Sequence, residues 1–536
     1  MPSQLIYGND GIYRSPRPPL SLPQDPKFSM IPYLFRNLSS ISHLPALVDA
    51  ETGQTSTFSV LRTQVLNFSK ALLDLSVSKN DVVLIISPNS LLFPVAFFAV
   101  VAIGAIATTA NPLYTAAEIS KQVKDSDPKL IITIPPLYDK IKHLNLPCIM
   151  LTNSTTPSNS NWYNSSDFIN KTSLNVLLSD SDFPPVHQDD PAAILYSSGT
   201  TGASKGVVLS HKNFIATSMM VTSDQDQAYG EAKNVFLCFL PMFHISGLVA
   251  VLFAQLQRGN KVVVMPRYEM EKMLRTIEKY KVSHFFAAPP VIVALAKNQE
   301  VVKKYDVSSL REIGSGAAPL GKDVLEECAK GYGLTETCGA VSLENAAASS
   351  QHSGSTGMLD PGVEARIMDL ERMQPLPPLQ KGEIWVRGPN VMLGYFKNEK
   401  ATKETIDDEG WLHTGDLGYF DNEGRIHVVD RLKELIKYKG FQVAPAELEE
   451  LLLTHPEIKD AAVIGLSDVD AGEVPIAFVV RSSYSSLTEV ETKDFIAKQV
   501  APYKRLRKVI FSEEIPKSAA GKILRRELRH RFLSKL

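Results

Sequence analysis

AAILYSSGTTGASKG, Ala192 to Gly206, begins as a short apolar run and passes into a loop of small, hydroxylated and glycine residues around one lysine. Read as a buried strand and the loop that follows it, the stretch sets the fold class, because ligands of α/β sheets gather at the C-terminal ends of strands. The glycines let backbone N–H groups turn inward, the Ser and Thr hydroxyls add donors, and Lys205 adds charge. That combination suits a phosphate. The competing reading is a flexible surface linker. A P-loop, G-x-x-x-x-G-K-[ST], is excluded by spacing. Counted from Gly199, the required second glycine is replaced by Ser204, and Lys205 is followed by Gly206 instead of a magnesium-binding hydroxyl.

Outward from this stretch, β-branched runs at Val82, Lys129, Ala192 and Lys261 alternate with longer helical patterns. The alternation predicts an α/β body built on mostly parallel sheets with flanking helices. A Gly- and Asp-rich passage, GWLHTGDLGYFDNEGRIHVVD, ends at Asp430. The pattern then restarts with helical AELEELLLTHPEI, strand-like AAVIGL, IAFVV and KVIFSE, and a basic terminal helix. The chain therefore divides into a large N-terminal body, residues 1–430, and a smaller α+β domain, residues 431–536.

At 536 residues, 44% hydrophobic and 21% charged, the composition is that of a globular protein of several packing units. A formal net charge of −2 gives no global case for nucleic acid or an anionic membrane. Cys148, Cys238, Cys328 and Cys338 form no CxxC pair and no metal-ligand spacing, which favours a reducing compartment. Ser534-Lys535-Leu536 spells the peroxisomal address SKL, and with it a peroxisomal import receptor as partner. The uncharged run Leu91 to Ala110 is long enough to span a membrane, but Pro94, Gly104 and the preceding strand pattern favour a buried strand–helix–strand unit.

Further motifs follow in order: PMFHISGL with His244, GSGAAPLG from Gly314, GYGLTET from Gly331, WLHTGDLG with Asp416, DRLKELIKYKGFQV with Arg431, and PKSAAGKILRREL with Lys522. Together they resemble the adenylate-forming acyl-CoA synthetases, in particular the peroxisomal members of the plant 4-coumarate–CoA ligase-like branch. The resemblance runs from about Asp10 to the end of the chain. It implies a two-step reaction. A carboxylate attacks the α-phosphate of ATP, giving an acyl-adenylate and pyrophosphate, and coenzyme A then takes the acyl group and releases AMP.

The resemblance also implies roles. Ser197, Ser198, Gly199, Thr200, Thr201, Gly202 and Lys205 wrap the β- and γ-phosphates. Gly316, Ala317, Ala318, Gly331, Tyr332 and Gly333 seat the nucleotide, with Tyr332 beside adenine. Thr335 bonds the α-phosphate, and Glu336 holds Mg2+, a hard cation that takes oxygen ligands. Asp416 accepts the ribose hydroxyls, with Arg431 close by. Lys522 bridges the substrate carboxylate and the α-phosphate. Lys437 and Gln442 serve thioester formation or AMP binding, and Lys439 and Gly440 contact coenzyme A. The small domain turns about Lys433 between half-reactions, so the active site lies at the domain interface. His244, Ser246, Ser315, Gly316, Gly339 and Val341 line the acyl pocket, with His244 gating the thiol.

Two departures stand out. Ser246 occupies a position where hydroxycinnamate-specific ligases carry tyrosine, which enlarges the pocket and favours fatty acids or cyclopentanone-bearing jasmonate precursors over phenylpropanoids. In EECAKGYGLTET, a helix expected to end near Lys330 runs straight into Gly331, where relatives carry roughly eight to ten more residues, enough to include a whole short strand of about five to six. Loss of that strand implies an impaired or inactive member. Two further rivals are a luciferase-like mono-oxygenase and a hydrolase forming ADP.

Overall fold

The computed structural model describes residues 6–152, 162–169, 183–197, 204–229, 234–315, 329–344, 354–439, 441–468, 471–518 and 521–533. Pro191–Ser197 and Lys205–Ser210 pair antiparallel with Lys205 opposite Ser197, so both ends of the phosphate-loop segment stand side by side. Ser198, Gly199, Thr200, Thr201 and Gly202 lie outside the described residues, as do Gly316, Ala317, Ala318, Gly440 and the SKL tripeptide. From Pro191–Ser197 a parallel array runs through Ile106–Ala110, Val82–Ile86, Leu130–Thr133, Cys148–Met150 and Trp162–Asn164, while Gly394–Tyr395 joins the antiparallel edge. Val82–Ile86 and Ile106–Ala110 are buried along their whole length, which is why they read as continuous apolar runs without alternation.

A second, nine-stranded sheet has a parallel centre made of Ala329–Tyr332, Glu312–Ser315, His284–Ala287, Val235–Cys238, Lys261–Val264 and Pro45–Asp49. Antiparallel strands flank it at both edges. Between the two sheets lies the helix Leu92–Ala102, whose residues Phe93 to Val101 are all buried. A helix apolar on every side belongs in the middle of a core. Phe97 meets Phe214 and Phe98 meets Phe253, inside one cluster that takes side chains from both sheets. The run Leu91 to Ala110 is thus a buried helix followed by a strand. No helix among the described residues is long and apolar enough to cross a membrane. Cys148, Cys238 and Cys338 are free and buried.

A third sheet, Tyr13–Arg14, Glu364–Met368, Gly382–Arg387, Leu412–Phe420 and Ile426–Arg431, is antiparallel throughout, an element the expectation of mostly parallel sheets did not single out. After it come the hairpin Ile436–Tyr438/Phe441–Val443 and the long antiparallel pair Ile458–Asp468/Gly472–Arg481, with Lys508–Phe511 added in parallel. Helices Pro445–Leu453, Glu489–Ala497 and Arg525–Leu533 belong to this C-terminal part.

The expectation of a helix running into Gly331 is corrected. Ala329 and Lys330 are strand residues, in parallel register with Gly314 and Ser315, and the strand continues through Gly331 and Tyr332. The chain makes up for its short segment by drawing the missing strand from its own upstream residues and from the first two residues of the motif. At Ala329 and Lys330 sheet pairing overrides the local helical tendency.

The C-terminal helix is anchored by a buried ion pair. Arg525 Nη2 donates to both Glu449 oxygens at 2.7 Å, and the Val463 N–H donates to Oε1 at 2.8 Å. Removing one partner of such a pair leaves a lone buried charge, at a cost of about 3–5 kcal/mol. Arg525→Met is therefore expected to lower stability by that amount in denaturant unfolding, and Arg525→Met combined with Glu449→Leu to recover most of it.

Candidate active site

Two groups of polar side chains form where the three sheets meet. The first gathers at Ser197 and Lys205, the two ends of the loop read as a phosphate binder. Glu336 Oε1 accepts from Ser197 Oγ and from Tyr395 Oη, each at 3.1 Å, and Lys205 Nζ lies 4.5 Å from the centre of the Tyr395 ring. Both hydrogen bonds fall on Oε1, and none of the described residues donates to Oε2. One carboxylate with a spare oxygen beside a phosphate loop fits Mg2+, which takes one or two protein carboxylates and fills its other positions with phosphate oxygens and water. Tyr395 was not foreseen. It comes from the edge strand Gly394–Tyr395, where it stands opposite Val207. Only a pairing across nearly two hundred residues of chain brings it to Glu336, and no local pattern announces that.

The second group surrounds Asp416. Tyr332 Oη donates to Asp416 Oδ2 at 2.7 Å, and Arg431 Nε lies 3.4 Å from Oδ1. Asp416 and Arg431 are direct partners across the strands Leu412–Phe420 and Ile426–Arg431. Burial pushes the Asp416 carboxyl upward, opposed by Arg431, the Tyr332 hydroxyl and Lys522. Burial and the facing carboxylate push the Tyr332 phenol well above its ordinary value. The Lys522 ammonium is pushed down to about 8, mainly by burial and then by Arg431, with Glu434 and Asp416 acting against the shift. Lys522 in turn adds to the burial that lowers the His244 imidazole. Tyr332, Asp416, Arg431, Lys522 and His244 thus share one electrostatic environment, although they are spread over nearly three hundred residues of sequence.

Local structure holds each member in place. Lys522 sits on a tight turn in which the Ser518 N–H donates to the Lys522 carbonyl at 2.8 Å and the Lys522 N–H to Ser518 Oγ at 3.2 Å. The Lys517–Asp460 ion pair, 2.6 Å, ties this turn to the C-terminal sheet. In the Gly331–Thr337 loop, a Cβ on Gly333 would lie 2.3 Å from the Gly339 carbonyl oxygen, so only glycine permits the close approach. Thr335 and Glu336 lie in the 3-10 turn Thr335–Thr337, and the Met392 N–H donates to the Glu336 carbonyl at 2.9 Å. His244 precedes the π-helix Ser246–Phe253, a rare geometry often found at functional sites, and Ser246 opens it. Gly339 packs on Ile245, Ser315 Oγ donates to the Ala287 carbonyl at 3.2 Å, and Val341 is fully buried.

Other residues stand apart. Lys437 and Lys439 are exposed on the hairpin Ile436–Tyr438/Phe441–Val443, on which Gln442 is the partner of Lys437. Lys433 follows Arg431 in the turn out of the third sheet, and its ammonium is lowered by burial and by the nearby Lys205. Among the described residues no group of three metal-ligating side chains occurs.

The chain matches the AMP-binding enzyme family over residues 35–396 and the AMP-binding enzyme C-terminal domain over residues 447–522. It is 46% identical to "Probable CoA ligase CCL5" of Humulus lupulus, over 98% of this chain and 97% of that protein. It is 44% identical to "Peroxisomal OPC-8:0-CoA ligase 1" of Arabidopsis thaliana, over 97% and 96%. Its structure resembles the o-succinylbenzoate CoA synthetase of Bacillus subtilis solved with its acyl-adenylate intermediate, with a TM-score of 0.79 and 28% identity over 93% of this chain and 97% of that one. The motif order, the two-part α/β architecture and these likenesses agree: the chain belongs to the AMP-binding enzyme family, among the 4-coumarate–CoA ligase-like acid–thiol ligases.

Proposed function

We propose that the chain joins a carboxylic acid to coenzyme A through an acyl-adenylate, with the groups around Glu336 and Asp416 binding opposite ends of one ATP. The observation that carries this reading is the convergence of Lys522, Asp416, Arg431 and His244 from distant parts of the chain. Ser197 and Lys205, at the two ends of the loop, take the β- and γ-phosphates, and Glu336 with the bound nucleotide holds Mg2+, which neutralises phosphate charge when present. Asp416, with its two acceptor oxygens, takes the ribose hydroxyls, and Tyr332 lies beside the base. Thr335 bonds the α-phosphate.

Lys522 supports the chemical step. Two anions must approach for the carboxylate to reach phosphorus, and an ammonium between them offsets their repulsion and stabilises the charge that develops. His244 shapes the acyl pocket and the thiol's approach. The domain division at residues 430 and 431, the hinge at Lys433, and the second-step roles of Lys437, Gln442, Lys439 and Gly440 form part of the same proposal. The strand Ala329–Tyr332 removes the ground for an impaired enzyme.

For the acid, Ser246 favours a larger pocket than a phenolic ring requires, and the Arabidopsis relative bears the name of an OPC-8:0-CoA ligase. We assign a fatty acid or a cyclopentanone-bearing jasmonate precursor, with peroxisomal import through the SKL sequence. CoA-dependent AMP release should be strongest with these acids and weaker with hydroxycinnamates. Ser246→Tyr should reverse the ranking in kcat/KM by about 10-fold or more, the range open to reshaping a hydrophobic pocket. Loss of CoA-dependent AMP release with every acid would contradict the ligase reading.

The depressed Lys522 sets a pH limit. Its charged form is complete below about pH 8 and is lost as pH rises through that value. The kcat/KM for ATP should therefore fall on an alkaline limb near pH 8. Lys522→Arg, which keeps its charge, should move that limb out of the accessible range. Lys522→Ala should lower adenylate formation about 10²–10³-fold, the usual loss for one preorganised donor.

A further inference from the structure

Arg17 lies in the extended N-terminal segment, outside both polar groups, yet its side chain is only 9% exposed and that of its partner Asp224 only 12%. Nε and Nη2 both donate to Asp224 Oδ2, at 2.9 and 2.6 Å. Nη1 donates to the carbonyls of Met358 and Leu359, each at 2.8 Å, and Nη2 also to that of Leu343 at 2.7 Å. All five N–H donors of the guanidinium are thereby used. The neighbouring Ser15 Oγ adds a bond to the Leu359 carbonyl at 2.8 Å.

The places these partners occupy give the arrangement its meaning. Asp224 belongs to the helix His211–Tyr229, which starts directly after the strand that carries Lys205. Leu343 stands directly opposite Gly331, and Met358–Leu359 is the next strand out. Arg17 therefore spans from the element behind the phosphate loop to the strands behind the Gly331–Thr337 loop. Among the described residues, Ala329 and Lys330 pair with the parallel sheet, while Gly331 and Tyr332, the first residues of the loop, pair with the outer strand Ser342–Leu343. The outer strands are what Arg17 grips.

We propose that Arg17, paired with Asp224, is a positioning residue for the ligase reaction: it fixes the spacing between the phosphate loop and the Tyr332–Glu336 segment. The role rests on the ATP site proposed above. An ammonium in place of the guanidinium cannot make the same five-pronged contact. A shift of about 1 Å between catalytic groups is enough to cost up to about 10²-fold in rate.

The test compares Arg17→Lys with the double variant Arg17→Met/Asp224→Leu, which leaves no lone Asp224; without Arg17 the buried Asp360 carboxyl rises further above about 7 and stays protonated, so positioning is separated from folding. Both should raise KM for ATP about tenfold or more while changing KM for coenzyme A less than about twofold. The double variant should keep a Tm near that of the parent. Hydrogen exchange supplies a readout that needs no catalysis. The amides of Val341, Glu344 and Asp360, which bond the carbonyls of Tyr332, Lys330 and Val341, should exchange faster in both variants. Parental exchange at these amides in both variants would overturn the clamp, even if the parent chain itself proved to form no AMP. Equal changes in both KM values together with a fall in Tm would reduce Arg17 to a fold-stabilising residue and overturn it as well.

Discussion

Pairing of Ala329 with Gly314 and of Lys330 with Ser315 joins the Gly331–Thr337 loop to the parallel sheet, and the site depends on that joint. Through it Tyr332 reaches Asp416, and Glu336 reaches Ser197 and Tyr395. The chain before Gly331 is short, and the protein supports the joint from the far side. The outer strands Ser342–Leu343 and Met358–Leu359 complete the pairing, Gly333 allows the loop to fold back onto Gly339, and Asn390 donates to the Thr337 carbonyl at 3.2 Å.

Charge is distributed around this joint with a clear polarity. Asp416 is buried, and a buried carboxylate is tolerated only where cations and donors face it. Arg431, Tyr332 and Lys522 supply these, while Lys205 and Lys433 lie near one another. Burial first, and neighbouring cations second, lower Lys522 and Lys433, and an anion among these cations would offset both. A polyphosphate is such an anion.

Much of this was legible in the sequence, for physical reasons. Fully buried strands such as Val82–Ile86 announce themselves as apolar runs, and the restart after Asp430 reflects a separate small core around Val463 and Val479. The residues Tyr332, Asp416, Arg431, Lys522 and His244 stand out in the sequence because each sits in a short motif that resembles the family's, although their convergence is a property of the fold. Two things were hidden. Ala329–Lys330 reads as the end of a helix because EECAK has helical composition, and only pairing with Glu312–Ser315 makes it a strand. Tyr395 and Arg17 act through partners far away in sequence, and a lone tyrosine or arginine in an extended segment carries no local signal of such a role.

On the function proposed above, the short strand Ala329–Tyr332 still presents a working adenylation site. Acid-dependent exchange of radiolabelled pyrophosphate into ATP, measured without coenzyme A, tests that step alone. Exchange that appears only when a fatty acid or jasmonate-type acid is added, and disappears in Lys522→Ala, is the expected result. A chain that binds ATP, as judged by a rise in Tm, yet exchanges no pyrophosphate with any acid would contradict it.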